Sequence, residues 1–454
     1  MLAHAGSSHA APAARAQPEA AERTANLAVQ RAVLDNGLRV LLAPRPGTGE
    51  VVVCMSFDAG DRYEGVQESG LSRWVERWLL LQGLEAGASS AAPLPEPQTV
   101  RTTVLRSAEV TSFVTAVAPA CLADALRAEA RRLTAAAAVA PAPRPSAAAP
   151  AAVAPDAPLD QARASLTAEL AAPHASVDAS AELEGSLRGL RGLVFEQAWP
   201  TAHTELRELA HLPSERVRAF AAAHVAPERA VLSLVGDFEP SEALPLIRAE
   251  LGRIARAAVP TAALAAPVEQ NSRRTLVGQS ATPNGAALSY GWPIPGQQSE
   301  AHAALEVAAE ILGGGRLSRL HQDLVLGRAR ALGVSAGTDG LRGSDLWWLH
   351  VRLTANSAPS AIAALVDEHI GLLGRFGPSE LELRAARERL CTRLLVRLEP
   401  ASALGQWLGQ TELGRGAEDP LGETLQRYRA VSPSDVQRAV ASLLGPTHRS
   451  VVET

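Results

Sequence analysis

Gly70-Leu71-Ser72-Arg73-Trp74-Val75-Glu76-Arg77-Trp78-Leu79-Leu80 reads as a helix. Leu71, Trp74, Val75, Trp78 and Leu79 recur at i, i+3, i+4, i+7 and i+8, one apolar stripe about two turns long. Arg73 and Arg77 are four residues apart and share the other face, with Glu76 beside them. This face carries two fixed positive charges around one carboxylate.

The 454 residues are 47% hydrophobic and 20% charged, which suits a soluble globular chain with sizeable cores. Aromatics are few at 4% and alanine dominates the apolar count, which favours Ala/Leu-rich helices. A formal net charge of −5 gives no reason to expect nucleic acid or an anionic membrane as partner. Cys54, Cys121 and Cys391 are too few and too scattered for a disulfide framework or a cysteine zinc site. No run of about eighteen apolar residues predicts a membrane span. Residues 1–28 read as a disordered tail without the basic start and apolar stretch of a signal peptide, so localisation stays open between cell envelope or periplasm and cytoplasm.

Outward from the helix, Leu34-Asp35-Asn36-Gly37-Leu38 predicts a hairpin, and Val51 to Ala59 a strand that leads through a turn at Gly60-Asp61-Arg62 into the helix. After a small-residue loop over 87–98, Thr102 to Val117 reads as two strands and Leu122 to Leu133 as a helix. Residues 135–158 are nearly all Ala and Pro and are expected to form a solvated, extended insert. Helices are expected over 159–170, 180–197 and 203–210, then one N-capped by Ser214 through His224. A buried strand follows over 230–237, a helix over 242–251 and an exposed connector over 255–271. The pattern then restarts. Strands are read at 275–279, 286–291, 347–353 and 449–452, and helices at 300–312, 317–325, 358–376, 379–398, 401–413 and 434–444. The recurrence suggests an α+β chain made by internal duplication, residues 29–254 and 272–454, each half a mainly antiparallel sheet covered by helices.

The order of these features resembles the M16 peptidase family (insulinase, pitrilysin and mitochondrial processing peptidase). Leu34-Asp35-Asn36-Gly37-Leu38-Arg39-Val40 is similar to its opening hairpin. Ala59-Gly60-Asp61-Arg62-Tyr63-Glu64, then Gly70-Leu71, is similar to the approach to its motif helix. Val235-Gly236-Asp237-Phe238, Leu312-Gly313-Gly314-Gly315-Arg316-Leu317-Ser318-Arg319-Leu320 and Val431-Ser432-Pro433-Ser434-Asp435-Val436 continue the series in order. The resemblance implies two homologous halves forming half of a clamshell. It also implies pairing with a second subunit of the same family, hetero- or homodimeric, and extended peptides as ligands.

The family's motif helix carries His-x-x-Glu-His, whose histidines bind zinc with a glutamate from a later helix while the motif glutamate serves as general base. On this chain Glu76 matches the base and Glu169 the third ligand, but Arg73 and Arg77 stand where the histidines belong. Guanidinium has no lone pair to give, so the expectation is that no metal is bound, that the site is degenerate, and that Arg73 or Arg77 pairs with Glu76 and Glu169. The family's second-half Arg and Tyr fall here on about Gly327 and Val334, which have neither group; Arg328 or Arg330 is a geometric substitute for the arginine.

Taken alone, Arg73, Glu76 and Arg77 read as a solvated helix face and Glu169 as a surface glutamate. Gly313 to Gly315 lacks the Gly-Lys-Ser/Thr of a phosphate loop, no histidine pair has ligand spacing on a clear helix, and no Gly-x-Ser-x-Gly elbow occurs. The leading expectation is a catalytically inactive subunit that binds peptide or pairs with a zinc-bearing one. The alternatives are an active zinc metalloendopeptidase with atypical ligands, and a stand-alone interaction scaffold.

Overall fold

β-branched and leucine-rich runs build two sheets in the computed structural model, which describes residues 28–65, 67–83, 101–138, 157–171, 179–195, 202–256, 274–277, 286–414 and 416–453. In the first half, strands β1 (Gln30–Val33), β2 (Arg39–Pro44), β3 (Val51–Phe57), β4 (Arg101–Arg106), β5 (Thr111–Val117) and β6 (Ala230–Gly236) form one sheet in the order β1-β2-β6-β3-β5-β4. Its helices are α1 (Leu71–Gly83), α2 (Leu122–Ala138), α3 (Ala157–Ala171), α4 (Ala179–Phe195), α5 (Ala202–Leu209), α6 (Ser214–His224) and α7 (Pro240–Leu251). In the second half, β7 (Arg274–Val277), β8 (Ala287–Pro295), β9 (Ala331–Thr338), β10 (Ser344–Leu353) and β11 (Ser450–Glu453) pair as β7-β11-β8-β10-β9. Helices α8 (Glu300–Gly313), α9 (Pro359–Phe376), α10 (Glu380–Arg397), α11 (Ala401–Gly414), α12 (Pro420–Ala430) and α13 (Pro433–Leu443) belong to it.

The duplication holds element by element from β2 to β6 and from β7 to β11. In each half the last strand inserts beside the first and pairs with it in parallel, β2 with β6 and β7 with β11, while every other pairing is antiparallel. Topologically, α1 corresponds to α8, α3 to α10, α4 to α11 and α5 to α12.

The halves trade a covering helix. Leu187, Leu190, Val194 and Phe195 of α4 pack with Leu346 and Val452 of the second sheet. In return α11 lies on the first sheet, and small residues set how close it comes. At Gly405 a Cβ would stand 3.1 Å from the Cβ of Cys54, and at Gly409 one would run into Ser56. Cys54 is thus sealed under α11, and burial pushes its thiol up to about 12, as befits an inert core cysteine.

Several expectations need correction. The Ala/Pro segment does not start at 135: α2 continues to Ala138 and buries Ala136, because these four alanines precede the first proline at 141 and alanine favours the helix most. At the other end α3 starts at Ala157, since Pro158 is tolerated in a first turn. Ser214 does not cap α6; extended Pro213 holds that position and makes no side-chain cap bond. Strand β9 and helix α12 were not expected, and residues 321–327 wind as a π-helix rather than continuing an ordinary helix from 317. Gly333 and Gly337 in β9 weaken its alternation. The tail over 1–27, the loop at 87–98, the core of the Ala/Pro segment and the connector over 257–271 lie outside the described residues. No helix among the described residues is long and apolar enough to cross a membrane.

Candidate functional site

The motif helix is fixed from both ends of its approach. Burial next to Asp61 pushes the Glu64 carboxyl up to about 8, yet it still accepts from the Ser72 amide at 2.8 Å, the Gly70 amide at 3.1 Å and the Ser72 hydroxyl at 2.6 Å. Glu64 therefore satisfies the free amides that open α1. Arg62 turns the other way. Its guanidinium meets Glu109 and donates to the carbonyl and hydroxyl of Ser344 in the second half at 3.1 and 3.0 Å. Gly60, just before them in the chain, lies so close to the Ala108 carbonyl that no Cβ fits. The Ala-Gly-x-Arg-x-Glu pattern before the helix is thus a structural clamp.

With Leu71, Trp74, Val75, Trp78 and Leu79 buried, α1 presents Arg73, Glu76 and Arg77 together. Arg73 Nη1 donates to both carboxylate oxygens of Glu205 on α5, at 3.1 and 3.0 Å, and Nη2 to Glu169 on α3 at 3.3 Å. Arg77 pairs with the other oxygen of Glu169 and reaches Ser165 Oγ at 3.3 Å. The expected meeting of both arginines with Glu169 is present. Their pairing with Glu76 is not: Glu76 forms its ion pair with Arg106 of β4, Nε to Oε2 3.1 Å. The reason is direction. Arg73 and Arg77 extend toward α3 and α5, whereas Glu76 faces the end of β4. Burial raises the Glu76 carboxyl above its ordinary range, and Arg106, Arg73 and Arg77 work against that shift.

Glu205 and Arg106 were missed in the sequence. Both lie on expected elements, but no spacing links them to the motif, and only the packing of α5 and β4 around α1 brings them in. Gly327 ends the π-helix, and Val334 sits on β9 opposite Val351; both lie in the second half, away from this first-half cluster. Arg328 is tied to Asp323 at 2.7 Å.

The second half has a charge-reversed counterpart on the corresponding helices. Glu310 of α8 binds Arg389 and Arg393 of α10, each at 2.7 Å, and Glu306 accepts from Tyr428 of α12 at 3.1 Å. In both halves the corresponding helices are therefore tied by carboxylate bonds, to guanidinium groups throughout in the first half and to two guanidinium groups and the Tyr428 hydroxyl in the second. Removing Glu205 leaves Arg73 with only half-exposed Glu169, so Glu205→Ala is expected to destabilise the fold by about 1–2 kcal/mol, and Glu169→Ala by less than about 1 kcal/mol. Urea denaturation of both variants checks the order.

A duplicated sheet-and-helix chain with an Arg-x-x-Glu-Arg helix next to an edge strand is the architecture that the sequence resemblance implied. Comparison with known proteins agrees. A profile described as the Peptidase M16 inactive domain matches residues 211–390. An uncharacterized zinc protease of Streptomyces coelicolor is 25% identical over 240 residues, and one of Mycobacterium tuberculosis is 26% identical over 240. The matches cover 52% of this chain and 52% and 54% of those proteins, so the chain spans about half the length of the curated relatives it matches. A protease from Helicobacter pylori has the same fold, with a TM-score of 0.74 at 15% identity over 94% of this chain and 99% of that one. A peptidase M16 inactive domain from Pseudomonas fluorescens gives 0.73 at 16% identity over 94% and 97%. The chain is thus similar to the M16 peptidase inactive domain over residues 211–390 and has the fold of M16-like proteins.

Proposed function

We propose that this chain is a non-catalytic M16 subunit that holds extended peptide and pairs with a zinc-bearing subunit of the family. The observation that carries the reading is the donor set on α1. A zinc site needs lone pairs converging on one point, and Arg73 and Arg77 offer only N–H donors. The carboxylates at the site, Glu76, Glu169 and Glu205, are each engaged by a guanidinium. The residues present do not fit zinc, so no step is derived through a metal. The guanidinium–carboxylate link between the corresponding helices α8 and α10 supports a structural role for the cluster.

Peptide binding is supported by β4. It is one of the two edge strands of the first sheet, the other being β1. Arg106 at its end touches Glu76, so main-chain groups on that edge lie next to the cluster. An added peptide strand would gain main-chain hydrogen bonds with little demand on sequence. Beside it, a cleft of about 270 Å3 is bordered by Asp61, Arg73, Arg106, Arg188 and Glu205.

The test measures zinc and cleavage together. The purified chain is expected to carry no stoichiometric zinc by plasma emission spectrometry and to leave a quenched peptide substrate intact. The Arg73→His/Arg77→His double variant is expected to gain about one zinc per chain, with Glu169 as the remaining ligand. Stoichiometric zinc with peptide cleavage in the unaltered chain would overturn the proposal.

A further inference from the structure

The junction of the two halves encloses a cavity of about 240 Å3, separate from the Arg73 cluster. Trp407, Gln410 and Thr411 of α11, Arg397 at the end of α10, and Arg427 and Tyr428 of α12 line it. A second space of about 590 Å3 shares Arg397 and Tyr428 with it as lining residues.

Its charges do not balance locally. The acids on the wall are all engaged: Glu109 with Arg62 and Arg342, Asp339 with Arg191, and Glu306 with Tyr428 and His302. Among the cations, Arg342 is taken by Asp58 and Glu109. Arg427 donates to the Ser299 carbonyl at 2.9 Å, and neither Arg427 nor Arg397 meets a carboxylate among the described residues. Two guanidiniums without anions thus border a cavity that also offers a flat indole wall and the neutral polar groups of Gln410 and Thr411. Guanidinium is the side chain best suited to a carboxylate, and a mixed apolar and polar lining suits a small organic ligand.

We propose that this cavity binds a carboxylate ligand, its anionic end at Arg397 and Arg427 and its apolar part against Trp407. The carboxylate could come from a peptide C-terminus or from a free organic acid. Binding here needs neither zinc nor a partner, so it stands or falls apart from the non-catalytic reading.

Isothermal titration of the full chain tests it with four probes: Ala-Ala-Phe as free acid, the same peptide amidated at its C-terminus, 3-phenylpropionate and inorganic phosphate. The free-acid peptide is expected to bind at least about tenfold tighter than the amide, and Arg397→Gln/Arg427→Gln to weaken it by a similar factor with an unchanged melting temperature. Equal binding of 3-phenylpropionate assigns the site to small acids; binding of the peptide acid alone assigns it to chain ends. The proposal is overturned by equal binding of acid and amide, by preference for phosphate, by no effect of the double variant, or by no binding of any probe.

Discussion

Glu109→Ala is expected to destabilise the protein by about 3–5 kcal/mol, because it strands a buried charge. Glu109 sits between the halves and is almost fully buried. It meets Arg62, accepts from the Arg342 backbone amide at 3.1 Å and from Arg342 Nε at 2.9 Å. Arg342 keeps Asp58 and the Tyr63 hydroxyl if Glu109 is lost, whereas Arg62 loses a buried carboxylate partner and keeps the oxygens of Ser344 and the face of Phe195. The Arg62 side chain is 1% exposed, so water cannot take the place of the carboxylate. Exchanging both charges, as Arg62→Met/Glu109→Leu, removes the stranded ion and is expected to cost less than Glu109→Ala alone. Urea unfolding of the two single variants and the pair measures this. A double variant as unstable as the sum of the singles would show that the pair is not the seam described.

A pH effect of about 3 kcal/mol is expected from His302. Its ring is 3% exposed and lies between two carboxylates, Nε2 2.8 Å from Asp345 Oδ2 and Nδ1 3.4 Å from Glu306 Oε2. Burial alone would discharge it, but the bonds to Asp345 and Glu306 outweigh burial and lift the imidazolium from 6.5 to about 9. The folded state therefore holds a proton that the unfolded state releases between these values. The contribution is complete below 6.5 and disappears as pH rises through 9. Stability should fall across that window, and His302→Gln should flatten the fall while lowering stability at pH 6. Equal slopes for variant and unaltered chain, from denaturation at half-unit pH steps, would exclude the assignment.

The motif helix was legible because its apolar period is set by one surface of contact. Leu71, Trp74, Val75, Trp78 and Leu79 recur at helical spacing wherever a helix buries a stripe, and all five are buried. Trp347 and Trp348 show the same logic in a strand: the first is in the main core of the second half, while the second points to the face covered by α4. Less legible was β9, whose glycines break the alternation, and the extent of α2, where alanine could be read either as insert or as helix.

By itself the sequence determined the duplication, the approach to α1, and the Arg73-x-x-Glu76-Arg77 pattern on its polar face, since each is a local pattern of residue type and spacing. Tertiary structure alone decided that Glu205 and Arg106 complete the charge set, that Glu76 turns to β4, and that α4 and α11 change places between the halves. Those facts depend on residues far apart in the chain being packed side by side, Arg73 and Glu205 for example being 132 positions apart. No local periodicity encodes such a distance; it follows only once the helices and sheets have buried their apolar faces against one another.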